Sequence, residues 1–162
     1  MAELAQSEGF HIIDRDTQLE ALTAPQRLLG AFDSETLEVR WRGTKARVAE
    51  SPVVSWLHRI SDYLGEVTEP EPMKCEHNPD YSDTPHLATM SRAALHQLAF
   101  DNPRGFFLMI ESASIDKQSH KRNPCGSIGE IEQLEETLAL AMNFADGHPD
   151  TAVIVTADHA QA

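Results

Sequence analysis

The sequence has no apolar run approaching the length of a transmembrane helix. Its first residues, MAELAQSEGF, are polar and acidic, without the apolar centre of a signal peptide. Positive charge is scarce. Thirteen Lys and Arg, only four of them Lys, face 26 Asp and Glu for a net charge of −13. Such a surface is unsuited to nucleic acid or to an anionic membrane, so neither is expected as a partner. There is no glycine-rich phosphate loop and no G-x-S-x-G nucleophile elbow. Internal repeats and low-complexity tracts are absent too. Cysteine appears twice, as Cys75 and Cys125. Counting alone leaves two readings open: two unrelated buried thiols, or one disulfide closing a loop of about fifty residues. Their turn-forming contexts, KCEHNP and RNPCGS, lean toward the second.

What is present suits one domain or a large piece of one: 162 residues, 41% of them hydrophobic. MAELAQSEGF reads as the end of an amphipathic helix leading into a short strand at 10–14. RDTQLEALTA forms a short helix before Pro25. RLLGAF (27–32) reads as a buried strand, and the alternation in LEVRW (37–41) as an edge or hairpin strand. SPVVSWLHRISDYLGEV holds a helical turn or two. TEPEPMKCEHNPDYSDTP, with four prolines in eighteen residues, reads as loop. A loop this long needs a pin, which a Cys75 disulfide would supply.

From Thr84 the pattern sharpens. Thr84 is a candidate N-cap and Pro85 a candidate first helical residue, followed by Leu87, Met90, Ala94 and Leu98 at helical spacing. FFLMI (106–110) reads as a buried parallel strand. Ile128, Ile131, Leu134, Leu138, Met142 and Ala145 mark the apolar face of a long helix ended by DGHPD. TAVIVT (151–156) reads as a second buried strand. The order helix, strand, helix, strand predicts an α/β fold with a largely parallel central sheet flanked by helices.

A polar cluster follows each of these two strands, at the sheet edge where α/β proteins collect ligands. After the first comes ESASIDKQSH, with Glu111, Asp116, Lys117 and His120. After the second comes ADH, with Asp158 and His159. Asp116 and His120 are four apart and face one side of a helical turn. Carboxylate and imidazole are the ligand types of zinc, and Glu111 offers a hard oxygen for magnesium or zinc. Taken singly, each has a plainer reading: a surface pair, a turn, a helix cap. Five metal-type ligands at one sheet edge raise the alternative of a metal site. The remaining histidines lack a partner at ligand spacing, and Glu130, Glu132, Glu135 and Glu136 read as the solvated face of the long helix.

GFFLMIESASIDKQSHKRNPCGSIGE closely resembles the bacterial alkaline phosphatases, where E-G-A-S-I-D-K-Q-x-H and N-P-C-x-x-I-G-E stand in this order. DTAVIVTADHA resembles their T-x-V-I-V-T-A-D-H-A motif. The likeness continues through DTPHLATM, CEHNP, VRWRGTKA and LLGAF, so it covers essentially the whole chain. The resemblance implies a homodimeric, periplasmic or secreted phosphomonoesterase with two zinc ions and one magnesium ion per site, acting through a phosphoserine. Glu111 resembles the magnesium ligand. Asp116 and His120 resemble ligands of the first zinc, Asp158 and His159 ligands of the second. Lys117 resembles the lysine that reaches phosphate through water, and Cys75 and Cys125 resemble a disulfide pair. Ser112 departs from the pattern, standing where the family has Gly. The nucleophilic serine, a phosphate-binding arginine and an aspartate ligand of the second zinc belong upstream of what these residues match, and a further zinc-binding histidine downstream. The resemblance therefore implies that 1–162 is part of a single alkaline phosphatase domain, lacking the nucleophile region and the C-terminal end. Alternative readings are a non-catalytic metal-binding protein, or a sister phosphodiesterase or sulfatase, against which IDKQSH with Lys117 argues.

Overall fold

Short polar turns divide the first half of the chain into small elements. The computed structural model describes residues 2–23, 25–33, 36–81 and 85–159. Helix α1 (Ala2–Ser7) ends at Gly9, whose φ of +82° turns the chain into strand β1 (His11–Ile13). Helix α2 (Asp16–Glu20) follows, its entry held by the Gln18 side chain, which accepts from the amides of Asp14 and Arg15. Strand β2 (Leu28–Gly30) pairs in parallel with β1, His11 opposite Leu28 and Ile13 opposite Gly30. Ile13 is 1% exposed and anchors this corner. Leu28 and Leu29 are half-buried and Gly30 is exposed, so β2 is a strand but less covered than its composition predicts.

Strand β3 (Trp41–Gly43) runs antiparallel to β6 (Cys75–His77), Trp41 facing His77 and Gly43 facing Cys75. Two expectations change here. Residues 37–40 are not in a strand, and pairing starts only at Trp41. The proline-rich stretch is not all loop, because its three proline-free residues Cys75–His77 pair with β3. Between them, β4 (Val53–Val54) and β5 (Val67–Thr68) form a separate hairpin, and its connection carries the expected helical turn, the Arg59 and Ser61 amides donating to the Ser55 and Leu57 carbonyls.

Helix α3 (Leu87–Ala99) begins after His86, not at Pro85. His86 has extended backbone and no side-chain cap. The Leu87 amide instead donates to Gln133 Oε1 at 3.2 Å, a cap supplied by another helix. The expected Thr84 cap lies outside the described residues. Helix α4 (Ser114–His120) then turns through Arg122, at φ +52°, into α5 (Pro124–Gly147). Pro124 opens α5, and Asn123 caps it by accepting from the Gly126 amide. α5 is the backbone of the fold: α3, α4 and β3 all pack on it.

The face α5 buries is not the apolar one. Cys125, Gly126, Gly129, Glu130, Gln133 and Thr137 are buried, while Ile128, Ile131 and Met142 lie exposed. Two physical requirements select this face. The first is close approach: a Cβ on Gly129 would sit 2.6 Å from Trp41 Cδ1, so β3 can touch the helix only at a glycine. The second is polar satisfaction of buried Arg40 and its neighbours. The Arg40 guanidinium makes a two-pronged bond to Glu136 (2.6 and 2.8 Å), Trp41 Nε1 donates to Glu132 (2.7 Å), and Tyr81 donates to Gln133 (2.8 Å). Three of the four glutamates read as a solvated face therefore hold Arg40 and Trp41, and among the described residues Glu135 has no such partner.

The Cys75–Cys125 disulfide is formed, tying β6 to the first turn of α5 across 50 residues of sequence. The two segments expected as buried parallel strands are not in strands. Residues 106–110 and 151–156 lie in neither helix nor strand, and Phe107 (87%), Met109 (77%) and Ile154 (86%) stand open to water. Three two-stranded sheets, one of them parallel, take the place of the expected central sheet among those residues. Residues 106–112 lie along α5 nevertheless. Phe106 meets the Phe144 ring edge-on at 6.0 Å, and Ser112 Oγ donates to the Glu130 carbonyl at 3.2 Å. Six extended residues span about 20 Å, and fourteen helical residues about 21 Å, so both ends are held in register.

Candidate metal centre

The site grows from the α4–α5 corner. Gln118 is buried there, its main-chain carbonyl accepting from the Asn123 amide and its side chain accepting from Asn123 Nδ2 at 2.8 Å. Ser119 donates to the Ile115 carbonyl and meets the Ser127 hydroxyl at 3.3 Å. With Gln118 turned inward, Asp116 and His120 are left one helical turn apart on the open side of α4.

The second cluster comes to the first. His159 Nε2 lies 3.3 Å from Asp116 Oδ1, and His120 Nε2 lies 3.4 Å from the same oxygen. Asp158 stands 3.7 Å from His159 Nε2, and its other oxygen accepts from the His159 amide. Two donors held at 2.0–2.1 Å by one tetrahedral zinc are separated by about 3.3–3.4 Å. The Asp116–His120 distance therefore suits a pair of ligands on one ion, and the second cluster comes equally near through His159. Among the described residues, however, no three such groups are arranged to hold an ion. The cluster is also wet, with His120 60% and Asp158 89% exposed.

Glu111 is not part of that cluster. It lines a neighbouring cavity of about 230 Å³ together with Ser112, Lys117, Glu130 and Gln133. Lys117, next to Asp116 on α4, lines the same cavity as Glu111. Ser112 finds a role here: its hydroxyl bond to α5 holds the Glu111 segment against the helix. Glu130 is the residue that sequence reasoning missed. Burial pushes its carboxyl above the ordinary carboxylate range, against the opposing bonds from the Arg40 amide and Gln133. Its signal was the spacing of Gly126, Gly129, Gln133 and Thr137, a small and polar stripe at helical period. Several remaining histidines have structural ring contacts instead: His77 with Trp41, His86 with Tyr81, His148 stacked on Phe144 at 4.0 Å.

Carboxylates and imidazoles meeting at a helix corner are the donor chemistry that hydrolytic metalloenzymes use for borderline and hard cations. Comparison with known proteins is specific. The family model for alkaline phosphatase matches residues 1–162, and the chain belongs to the alkaline phosphatase family. It is 40% identical to alkaline phosphatase H of Pseudomonas aeruginosa over 162 residues, covering 98% of this chain and 30% of that protein. It is 39% identical to alkaline phosphatase of Escherichia coli over 166 residues, covering all of this chain and 32% of that one. Streptomycin-6-phosphate phosphatase of Streptomyces griseus is 34% identical over 170 residues, again covering all of this chain and 34% of the relative. The chain thus spans about a third of the length of the curated relatives it matches.

Proposed function

We propose that the whole protein is a homodimeric, periplasmic or secreted alkaline phosphatase that hydrolyses phosphate monoesters, and that residues 1–162 are part of its single domain. The nucleophilic serine lies in the part these residues do not match. The observation that carries the reading is the return of the chain end to α4, His159 reaching Asp116 at 3.3 Å across 43 positions of sequence. In this reading Asp116 and His120 hold one zinc, Asp158 and His159 take part in holding a second, and Glu111 holds magnesium. When bound, the ions supply Lewis acidity for the attacking and leaving oxygens of an in-line displacement. Lys117, which follows Asp116 on α4 and lines the Glu111 cavity, orients phosphate through water. Segments 106–110 and 151–156 serve as strands of a parallel sheet whose other strands the rest of the protein supplies, which accounts for their open apolar side chains. The disulfide supports an oxidising compartment.

The test uses a polypeptide of the relatives' full length that contains this chain. Turnover of a chromogenic phosphomonoester should require zinc and magnesium. Asp116→Ala and His159→Ala should each lower kcat/KM by at least ~100-fold, the scale of losing a charge-stabilising contact. The 162-residue chain alone should show no turnover yet gain thermal stability from zinc. Metal-dependent turnover by the short chain, abolished by Asp116→Ala, would show that it carries its own nucleophile and sink that part of the reading.

A further inference from the structure

Ser112 stands in ESASIDKQSH where the pattern it resembles has Gly. The backbone does not call for glycine there, since Ser112 is not among the described residues with positive φ. The side chain has a partner of its own: Ser112 Oγ donates to the Glu130 carbonyl of α5 at 3.2 Å. A carbonyl oxygen has two lone pairs, so Glu130 can accept this bond and still serve its helix. The Ser112 carbonyl in turn accepts from the Ile115 amide at 3.1 Å, in the first turn of α4. One residue therefore bonds α5 through its side chain and α4 through its main chain.

Glu111 precedes it. Glu111 lines the cavity with Ser112, Lys117, Glu130 and Gln133, yet it is exposed, and its carboxylate makes no hydrogen bond or ion pair among the described residues. Nothing at the carboxylate itself fixes its place. The side-chain contacts that hold its segment to α5 are the Phe106–Phe144 ring pair, five residues before Glu111, and the Ser112 hydroxyl, one residue after it. The far end of the Ser112 bond is held as well, because Glu130 Oε1 accepts from the Arg40 amide and from Gln133 Nε2.

We infer that Ser112 is a positioning residue for Glu111: its hydroxyl bond to α5 fixes the main chain beside the Glu111 carboxylate and so tightens magnesium binding. This rests on the reading above that Glu111 holds magnesium. Magnesium takes one or two protein carboxylates and keeps several waters, so the placement of a single carboxylate weighs heavily in its affinity. A carboxylate left free to swing must be ordered at each binding event, which lowers affinity.

Magnesium chloride titrated calorimetrically into the zinc-loaded protein of the relatives' full length, containing this chain, tests it. Ser112→Ala removes the hydroxyl alone and should raise the magnesium Kd about 5-fold, the weight of one hydrogen bond. Ser112→Gly frees the main chain as well and should raise it about 10-fold. Ser112→Thr keeps a hydroxyl and should stay within about 2-fold of wild type. Zinc affinity, measured by chelator competition, should match wild type in all three. In the metal-free protein, hydrogen exchange at the Ile115 amide should quicken in Ser112→Ala and not in Ser112→Thr. Ser112→Ala and Ser112→Thr decide the matter even if Ser112→Gly unfolds. Magnesium bound by Ser112→Ala as tightly as by wild type, or more tightly, overturns the inference. So does an equal weakening of zinc and magnesium, which a general loss of structure would give. Glu111→Gln separates the two levels. Magnesium binding unchanged in Glu111→Gln sinks the assignment of Glu111 and the role of Ser112 with it. Binding lost in Glu111→Gln but unchanged in Ser112→Ala sinks the role of Ser112 alone.

Discussion

Replacing both Cys75 and Cys125 with alanine should lower stability by about 4 kcal/mol. The figure follows from the 50-residue separation of the bridged residues and the chain entropy that such a closure removes from the unfolded state, about 4 kcal/mol for a loop of this length. For a chain of 162 residues, an unfolding entropy of ~2.1 cal/mol/K per residue converts this to a fall of about 10–15 °C in Tm. The fold should nonetheless survive, because β3 keeps β6 through its ladder, and Arg40 with Trp41 keeps α5 through the Arg40–Glu136 and Trp41–Glu132 bonds. Alanine is the right replacement at Cys125, which is fully buried, since a serine hydroxyl there would add a desolvation cost unrelated to the cross-link. The assay is thermal unfolding followed by circular dichroism, with the wild-type chain under reducing conditions as the control. The reduced wild type and the double alanine variant should unfold within a few degrees of each other. A fall of less than about 3 °C would refute the reasoning, by showing that the open loop is already restricted in the unfolded chain.

Three further outcomes follow from the α5 interface. Arg40→Ala removes both bonds to Glu136 and the 3.7 Å contact with Glu132, carboxylates that are half open to water, and should cost about 1–2 kcal/mol in urea unfolding; Arg40→Lys should recover only part of this, because an ammonium cannot make the two-pronged bond to Glu136. Glu130 has a folded-state pKa raised by burial above its ordinary 4.5, so the folded chain binds that proton more tightly and loses stability as pH rises from the ordinary value through the raised one. Glu130→Gln should therefore raise Tm at pH 7 and flatten this fall, and no gain at pH 7 would contradict it. The hydrogen bond from Arg40 holds Glu136 low, so its contribution has the opposite sign, present above 4.5 and lost as pH falls through the lowered pKa. Ser112→Gly removes the bond to the Glu130 carbonyl and should cost about 1 kcal/mol in thermal unfolding.

Helices were legible where local chemistry decides them. DGHPD closes α5 within a residue of the expected end, while its start at Asn123 and Pro124 lies in RNPCGS, which reads as a turn in sequence. Asp116 and His120 were legible as a pair for the same reason, since a helical turn fixes their common side. The approach of His159 to Asp116 was not a matter of spacing. It depends on where 151–157 lies relative to α4, a tertiary placement that periodicity does not encode. Strand pairing failed for a related reason. FFLMI and TAVIVT have the composition of strands covered on both faces, but a strand exists only with a neighbour to bond, and among the described residues none lies beside them. Cys75–His77 shows the converse, a short segment with little apolar character that pairs because β3 and the disulfide hold it in register.

The inversion of α5 connects these outcomes. A helix with Ile128, Ile131 and Met142 on one side and Gly129, Glu130, Gln133 and Thr137 on the other has two faces able to pack, each for a different neighbour. The small and polar face suits an approaching backbone that brings its own unsatisfied groups, as Arg40 and the Leu87 amide do. The apolar face suits a neighbour with only hydrocarbon to offer, such as the outward side chains of Phe107, Met109 and Ile154 belong to. Apolar periodicity alone therefore identifies a face of the helix without identifying which neighbour takes it. The polar stripe carries the more specific information, because a buried carboxylate such as Glu130 is tolerated only where named donors meet it, here the Arg40 amide and Gln133 Nε2.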